Sequence, residues 1–269
     1  MTIDFSGKLR KGLAPHNVNM AEWNALGMKA TDLGRTWSPF IPETMPGEWM
    51  RCLWGPQQLQ QLRHVPEGAS LIMWNEPNLP YEPMRESAEM SPEQAAAMWV
   101  TARWWRPDLV WWGPAVNGVD AWNTSVDGLP YPWFRAFIKA VFEEWLPLKE
   151  RFGLPGPFEN LLGYVVNWYS HSVDIPAEWR LPSWAAQTLV EAAEMAGLKR
   201  PRPVRIGEFS CRQDAATLRL WLADMKASPL IEAAYIFTPF DERKPHFSLL
   251  KADMTPKTTG QIWRDFEGD

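Results

Sequence analysis

LIMWNEPNLP, residues 71–80, runs from a short apolar segment straight into Asn75, Glu76 and Pro77. The apolar part reads as a strand buried on both faces, and the proline behind the glutamate stops it. The segment that follows, SPEQAAAMWVTARWW (91–105), has Ser91 at an N-cap position, Pro92 at the first helical position and apolar residues at helical spacing. LVWWGPA (109–115) is then a second apolar run. Strand, helix, strand with a right-handed crossover is the unit of a parallel α/β sheet. Glu76 therefore stands at the carboxyl end of a parallel strand. There a charge is either a solvated turn residue or part of a site.

Outward from that unit the pattern repeats. Short β-like runs occur at 11–17 (KGLAPHN), 28–36, 49–54, 70–75, 109–115, 161–168 (LLGYVVNW), 204–209 (VRIGEF) and 233–238. Most are continuous rather than alternating, as in strands covered on both faces. Helical stretches are expected at 57–63, 91–105, 132–146, 183–196 and 213–225, while 37–48 (WSPFIPETMPGE) is too rich in proline for a full helix and reads as a loop. Eight strands in 269 residues close most naturally into a (β/α)₈ TIM barrel, one domain spanning 1–269. An open doubly wound sheet is the alternative, less supported because no glycine-rich phosphate turn follows any strand.

Composition narrows the function. The net charge is −5 and no basic stripe is visible, which argues against nucleic acid as a partner. No run approaches the ~18 apolar residues of a membrane span, so no membrane partner is expected, and a monomer is the expected state. MTIDFSGKLRKGLAPHN at the N-terminus has no apolar signal-peptide core, so the chain is cytoplasmic unless a leader was trimmed or another export route is used. Cys52 and Cys211 form no C-x-x-C pair and read as free thiols. The 18 tryptophans exceed what a core alone calls for. Trp37, Trp54, Trp74, Trp122, Trp133, Trp168 and Trp184 lie beside turn signals, and flat aromatic faces suit the apolar faces of sugar rings. Trp54, Trp74, Trp122 and Trp168 are expected at a groove, at least two of them with a face in solvent.

In a (β/α)₈ barrel the active site lies at the carboxyl ends of the strands. The polar residues there are His16 and Asn17, Arg35, Asn75 and Glu76, Asn117, Tyr169, Glu208 and Thr238, beside Trp54. Two are glutamates, each closing an apolar run, in LIMWNE and VRIGE. Opposed carboxylates on one rim are the equipment of glycosidic-bond cleavage: one protonates the leaving oxygen, the other attacks or activates water. Competing chemistries lack support. The four histidines show no metal spacing, there is no G-x-S-x-G elbow and there is no nucleotide loop. Neither a cofactor nor a metal is expected.

WNEPN (74–78) followed by SPEQAAAMW (91–99) resembles the acid/base strand and following helix of the clan A glycoside hydrolases. Within that clan the chain is most similar to the Asl1-like glycosyl hydrolase catalytic core, glycoside hydrolase family 128. KGLAPHN resembles the family's first strand, MRCLWG (50–55) the third, GPAVNG (113–118) the fifth, NWYSH (167–171) the sixth and IGEFS (206–210) the nucleophile strand. The resemblance implies a barrel, a retaining mechanism and β-glucan substrates, usually β-1,3-glucan. It implies Glu76 as acid/base, Glu208 as nucleophile, Asn75 as partner of the sugar 2-hydroxyl and Tyr169 as orienter of the nucleophile. Arg35 then either keeps Glu208 ionised, in the manner of the clan's strand-two arginine, or serves a structural ion pair. Three positions depart from the family pattern. Asn167 stands where histidine is common and Gly207 where threonine is common. Strand eight, AAYIFTPFD (233–241), lacks the frequent tryptophan, for which Phe237 or Phe240 substitutes.

The expected activity is thus a retaining, endo-acting β-glycan hydrolase with an oligo- or polysaccharide substrate. A transglycosylase with the same residues is one rival. A non-catalytic carbohydrate-binding barrel, such as a cell-surface or virion adhesin, is another.

Overall fold

The computed structural model describes residues 9–15, 19–38, 40–79, 88–121, 127–169 and 181–267. Eight parallel strands close into a barrel in sequence order. They are β1 (Arg10–Leu13), β2 (Leu33–Thr36), β3 (Glu48–Leu53), β4 (Ser70–Met73), β5 (Val110–Asn117), β6 (Leu161–Tyr169), β7 (Val204–Ser210) and β8 (Ile231–Ile236). Pairing of Leu13 with Ile236 shuts the seam between β1 and β8. Each expected strand is present, with shorter first, second and fourth members and the eighth set two residues earlier.

Helices cover the outside: α1 (Met20–Ala25), α2 (Pro92–Trp105), α3 (Pro132–Phe152), α4 (Pro182–Met195), α5 (Ala215–Ala227) and α6 (Thr258–Asp265). The signals at the start of α2 act as expected. The Ser91 side chain accepts from Gln94 N, and the Gln94 side chain accepts from Ser91 N. Residues 57–63 form a 3₁₀-helix, Pro56–His64, rather than an α-helix, and the described residues of 37–47 form no helix. The helices α1 and α6 were not expected. α1 is six residues long, too short to show periodicity, and is started by Asn19, whose side chain accepts from Ala21 N.

Two apolar layers result. Inside the barrel pack Leu33, Met50, Cys52, Ile72, Trp112, Val165 and Tyr235. Between barrel and helices lies a larger core that includes Trp74, Trp99, Trp111, Trp168, Trp221 and Trp263. Most of the tryptophan surplus goes here. Strand alternation decides which side each residue takes. On β6, Asn167 and Tyr169 turn toward the barrel axis and Trp168 turns outward, its ring 6.5 Å from that of Trp221. Gly118 makes room for that indole: a Cβ there would lie 2.3 Å from the Trp168 ring.

Candidate active site

Cross-strand register builds the site. Asn117 on β5 is paired with Asn167 on β6, and Asn167 with Glu208 on β7, so three polar side chains stand side by side at one level. Asn75 bridges to Ala115 just past β4, which delivers Glu76 to the same rim. The Glu76 amide donates to Ala115 O at 2.7 Å, and its φ of +44° lies in the left-handed region. A non-glycine residue held there costs about 1–2 kcal/mol, strain of the kind that clusters at functional sites.

The motif that follows fixes its neighbour. Asn78 accepts from Asn117 N at 2.8 Å and donates to Asn117 O at 3.1 Å. The Asn117 side chain accepts from Val119 N at 3.0 Å, so its amide nitrogen faces Glu76 and donates to Oε1 at 2.8 Å. Asn167 Nδ2 donates to the same Oε1 at 3.1 Å and to Glu208 Oε1 at 3.2 Å. These two contacts bound the separation of the Oε1 atoms at ~6.3 Å, below the range of roughly 6.5–9.5 Å that leaves room for a water between two carboxyls.

Glu208 carries the fixed counter-charge. Arg35, with no exposed surface, meets its Oε1 at 3.0 Å, and the Tyr169 hydroxyl donates to its Oε2. Arg35 also donates to Asn167 Oδ1 at 3.0 Å, Asn75 Oδ1 at 2.6 Å and Cys52 Sγ at 3.4 Å. The guanidinium thus reaches four elements from the middle of the site. Burial, reinforced by the charge of Glu208, pushes Glu76 up to about 8, partly opposed by the donors Asn167 and Asn117. Burial, with the charge of Glu208, holds the Tyr169 hydroxyl well above its usual range, so it stays a donor. Burial likewise pushes the Cys52 thiol up. One carboxyl is disposed to be neutral and the other is charge-paired, the asymmetry that acid/base division of labour requires.

Aromatic rings cluster around Tyr169 and Arg35, two partners of Glu208. Trp37 meets Trp54 edge-on at 5.9 Å and Phe237 at 6.2 Å, Tyr169 meets Phe237 at 6.3 Å and Phe247 at 6.0 Å, and the Arg35 guanidinium lies 5.7 Å from the Trp37 ring. Trp37 and Trp54 are half-buried. Of the two residues named for the missing strand-eight tryptophan, Phe237 lies in this cluster and Phe240 packs against the outer core.

The site residues named from sequence divide accordingly. Glu76, Glu208, Asn75, Asn117, Tyr169 and Arg35 converge, with Trp54 at the edge. Trp74 and Trp168 do not reach the groove. They are 0% and 2% exposed between barrel and helices, because the strand alternation that aims Asn167 and Tyr169 inward sends Trp168 outward, and Trp74 packs in the same outer layer. Asn17 and Trp122 lie outside the described residues, as do His16 and His171. Asn167 and Phe247 are site residues that sequence reasoning passed over. The first had a signal: two places before Tyr169, it must share that residue's face. Among the described residues no group of His, Cys, Asp or Glu side chains is disposed to hold a metal ion.

Residues 34–154 match the family model described as glycosyl hydrolase catalytic core. No curated protein matches the chain. Several solved structures share its fold. An endo-β-1,3-glucanase of glycoside hydrolase family 128, subgroup II, from Sorangium cellulosum is 21% identical, covering 95% of this chain and 98% of its own, with a TM-score of 0.61. A curdlan-specific exo-β-1,3-glucanase of subgroup III from Blastomyces gilchristii, in complex with glucose, is 17% identical over 97% and 99%, with a TM-score of 0.65. An oligosaccharide-binding protein of subgroup VII from Trichoderma gamsii is 14% identical over 96% and 93%, with a TM-score of 0.60. The resemblance noted in the sequence and the (β/α)₈ architecture are both borne out.

Proposed function

From a chain that matches the glycosyl hydrolase catalytic core and carries the barrel of the family 128 structures, we propose a retaining β-glycan hydrolase acting on β-1,3-glucan or a related polysaccharide. The observation that carries this reading is the pair of buried carboxyls bridged by one amide, which brings their Oε1 atoms within ~6.3 Å of each other and favours direct attack over activation of an intervening water. Glu208 attacks the anomeric carbon while Glu76 gives its proton to the departing glycosidic oxygen. The covalent intermediate relieves Glu76 of its charged neighbour. Glu76, now ionised, takes a proton from water, which displaces Glu208 with a second inversion and net retention. Arg35 and Tyr169 keep Glu208 paired and aimed throughout. Asn75, fixed by Arg35, is the expected partner of the sugar 2-hydroxyl.

The similarity to an oligosaccharide-binding protein of the same family favours one second reading, a barrel that binds glycan without cleaving it. Reducing ends released from a panel of β-glucans, with binding measured in parallel, separate the two. Cleavage with a first-formed product of β configuration is expected. Binding without cleavage supports the second reading, and an α product removes the retaining mechanism.

A further inference from the structure

The two departures from the family pattern at Asn167 and Gly207 are one structural event. A Cβ on Gly207 would lie 2.5 Å from Val165 Cγ1, 2.7 Å from Arg35 Nη1 and 2.9 Å from Asn167 Oδ1, closer than side chains tolerate. The bare backbone at 207 leaves the space in which Arg35 and Asn167 meet. Because Asn167 Oδ1 accepts from Arg35, the amide cannot flip, and its nitrogen must face the carboxyls.

An amide nitrogen has two hydrogens, directed roughly 120° apart. With one given to each carboxyl at the observed distances, the two Oε1 atoms stand about 5.5 Å apart, at the retaining spacing. The same contacts locate a proton. Glu76 Oε1 accepts from both Asn117 and Asn167, which uses both its lone pairs, so the proton of neutral Glu76 sits on Oε2. Glu208 Oε1 likewise accepts from Arg35 and Asn167. Its Oε2, which among the described residues takes only the Tyr169 hydroxyl, keeps a lone pair for attack.

We propose that Asn167 is the positioning residue of this site, a single neutral amide that donates to both carboxyls and reserves Oε2 of Glu76 for the proton to be transferred. This rests on the hydrolase reading and specifies which atoms perform it. Among the described residues, the charged and titratable groups facing Glu76 are Arg35 on β2, Cys52 on β3, Tyr169 on β6 and Glu208 on β7. An Asn167→Ala substitution leaves all of them in place. Glu208 stays tied to Arg35 and Tyr169, and Glu76 to Asn117 and Ala115 O, so the pair does not drift apart, and the lost donor governs the change.

The test is a ¹³C-carboxyl NMR titration of Glu76 in the wild type and the Asn167→Ala variant, paired with kcat and KM on a soluble β-1,3-glucan. Without that donor the Glu76 titration moves up by roughly half a unit or more, kcat falls about tenfold or more, and KM stays within about threefold. Gly207→Ala, which keeps Asn167 but crowds it, is the second variant and shifts kcat the same way. An unmoved titration and an unchanged kcat in Asn167→Ala overturn the proposal, as does a Gly207→Ala protein with wild-type kcat. A Glu76 shift in a chain that cleaves no glycan sinks the hydrolase reading and sustains the donor role of Asn167, because the titration needs no turnover.

Discussion

Replacing Glu76 by glutamine should stabilise the protein in a way that grows with pH. The ordinary glutamate value is 4.5, and burial with the charge of Glu208 raises it to about 8. A group raised in this way binds its proton more tightly when folded. Its contribution to stability is full below the unfolded value and is lost as pH rises through the folded one. Between pH 5 and pH 7.5 the unfolded chain releases this proton while the native site largely keeps it. At 1.36 kcal/mol per unit, that interval removes about 3 kcal/mol from the wild type. The Glu76→Gln variant has no proton to lose. Its carboxamide oxygen can accept from Asn117 and Asn167 where Oε1 did, and its NH₂ mimics the protonated Oε2. Equilibrium urea unfolding of both proteins at the two pH values measures the effect. The stability advantage of the variant should grow by about 3 kcal/mol. Curves that stay parallel to within ~1 kcal/mol would refute a site that keeps Glu76 protonated.

Activity should follow the same group. In a pH profile of kcat/KM on β-1,3-glucan, the basic limb should lie near pH 8, where Glu76 loses its proton. Glu208→Ala should abolish turnover, and added azide should restore it through an azido product of inverted configuration, identified by NMR; silence with azide would count against Glu208 as nucleophile. Trp54→Ala should weaken the binding of β-1,3-gluco-oligosaccharides about tenfold by calorimetry, a stacking contribution of ~1–1.5 kcal/mol, and unchanged affinity would take Trp54 out of the groove. Gly118→Ala should cost about 1–3 kcal/mol in urea unfolding, because the added methyl meets the Trp168 ring at 2.3 Å.

The barrel was legible because its signals are local. Continuous apolar runs mark strands covered on both faces, and the capping box at Ser91 marks the start of a helix. Glu76 and Glu208 were legible because each ends such a run. The tryptophans show the limit. Trp168 and Tyr169 are neighbours in a motif, and proximity to the motif suggests proximity to the groove, whereas alternation along β6 separates them. Asn167 shows another. Its importance comes from alignment with Asn117 on one side and Glu208 on the other, a register that includes a shift between Val166 and Asn167. No single strand contains that information. The short helices α1 and α6, six and eight residues long, offered too few turns for periodicity to speak.

The in–out–in order of Asn167, Trp168 and Tyr169 bears on how such a chain can evolve. Gain or loss of one residue just upstream in β6 would turn the indole into the catalytic mouth and both polar groups into the helical shell. The strand therefore resists change of length. Insertions and deletions are confined to the connections beyond the strand ends. Lineages of this protein that diverge in glycan preference should differ in the lengths of their rim loops, while the span from Leu161 to Tyr169 keeps its nine residues.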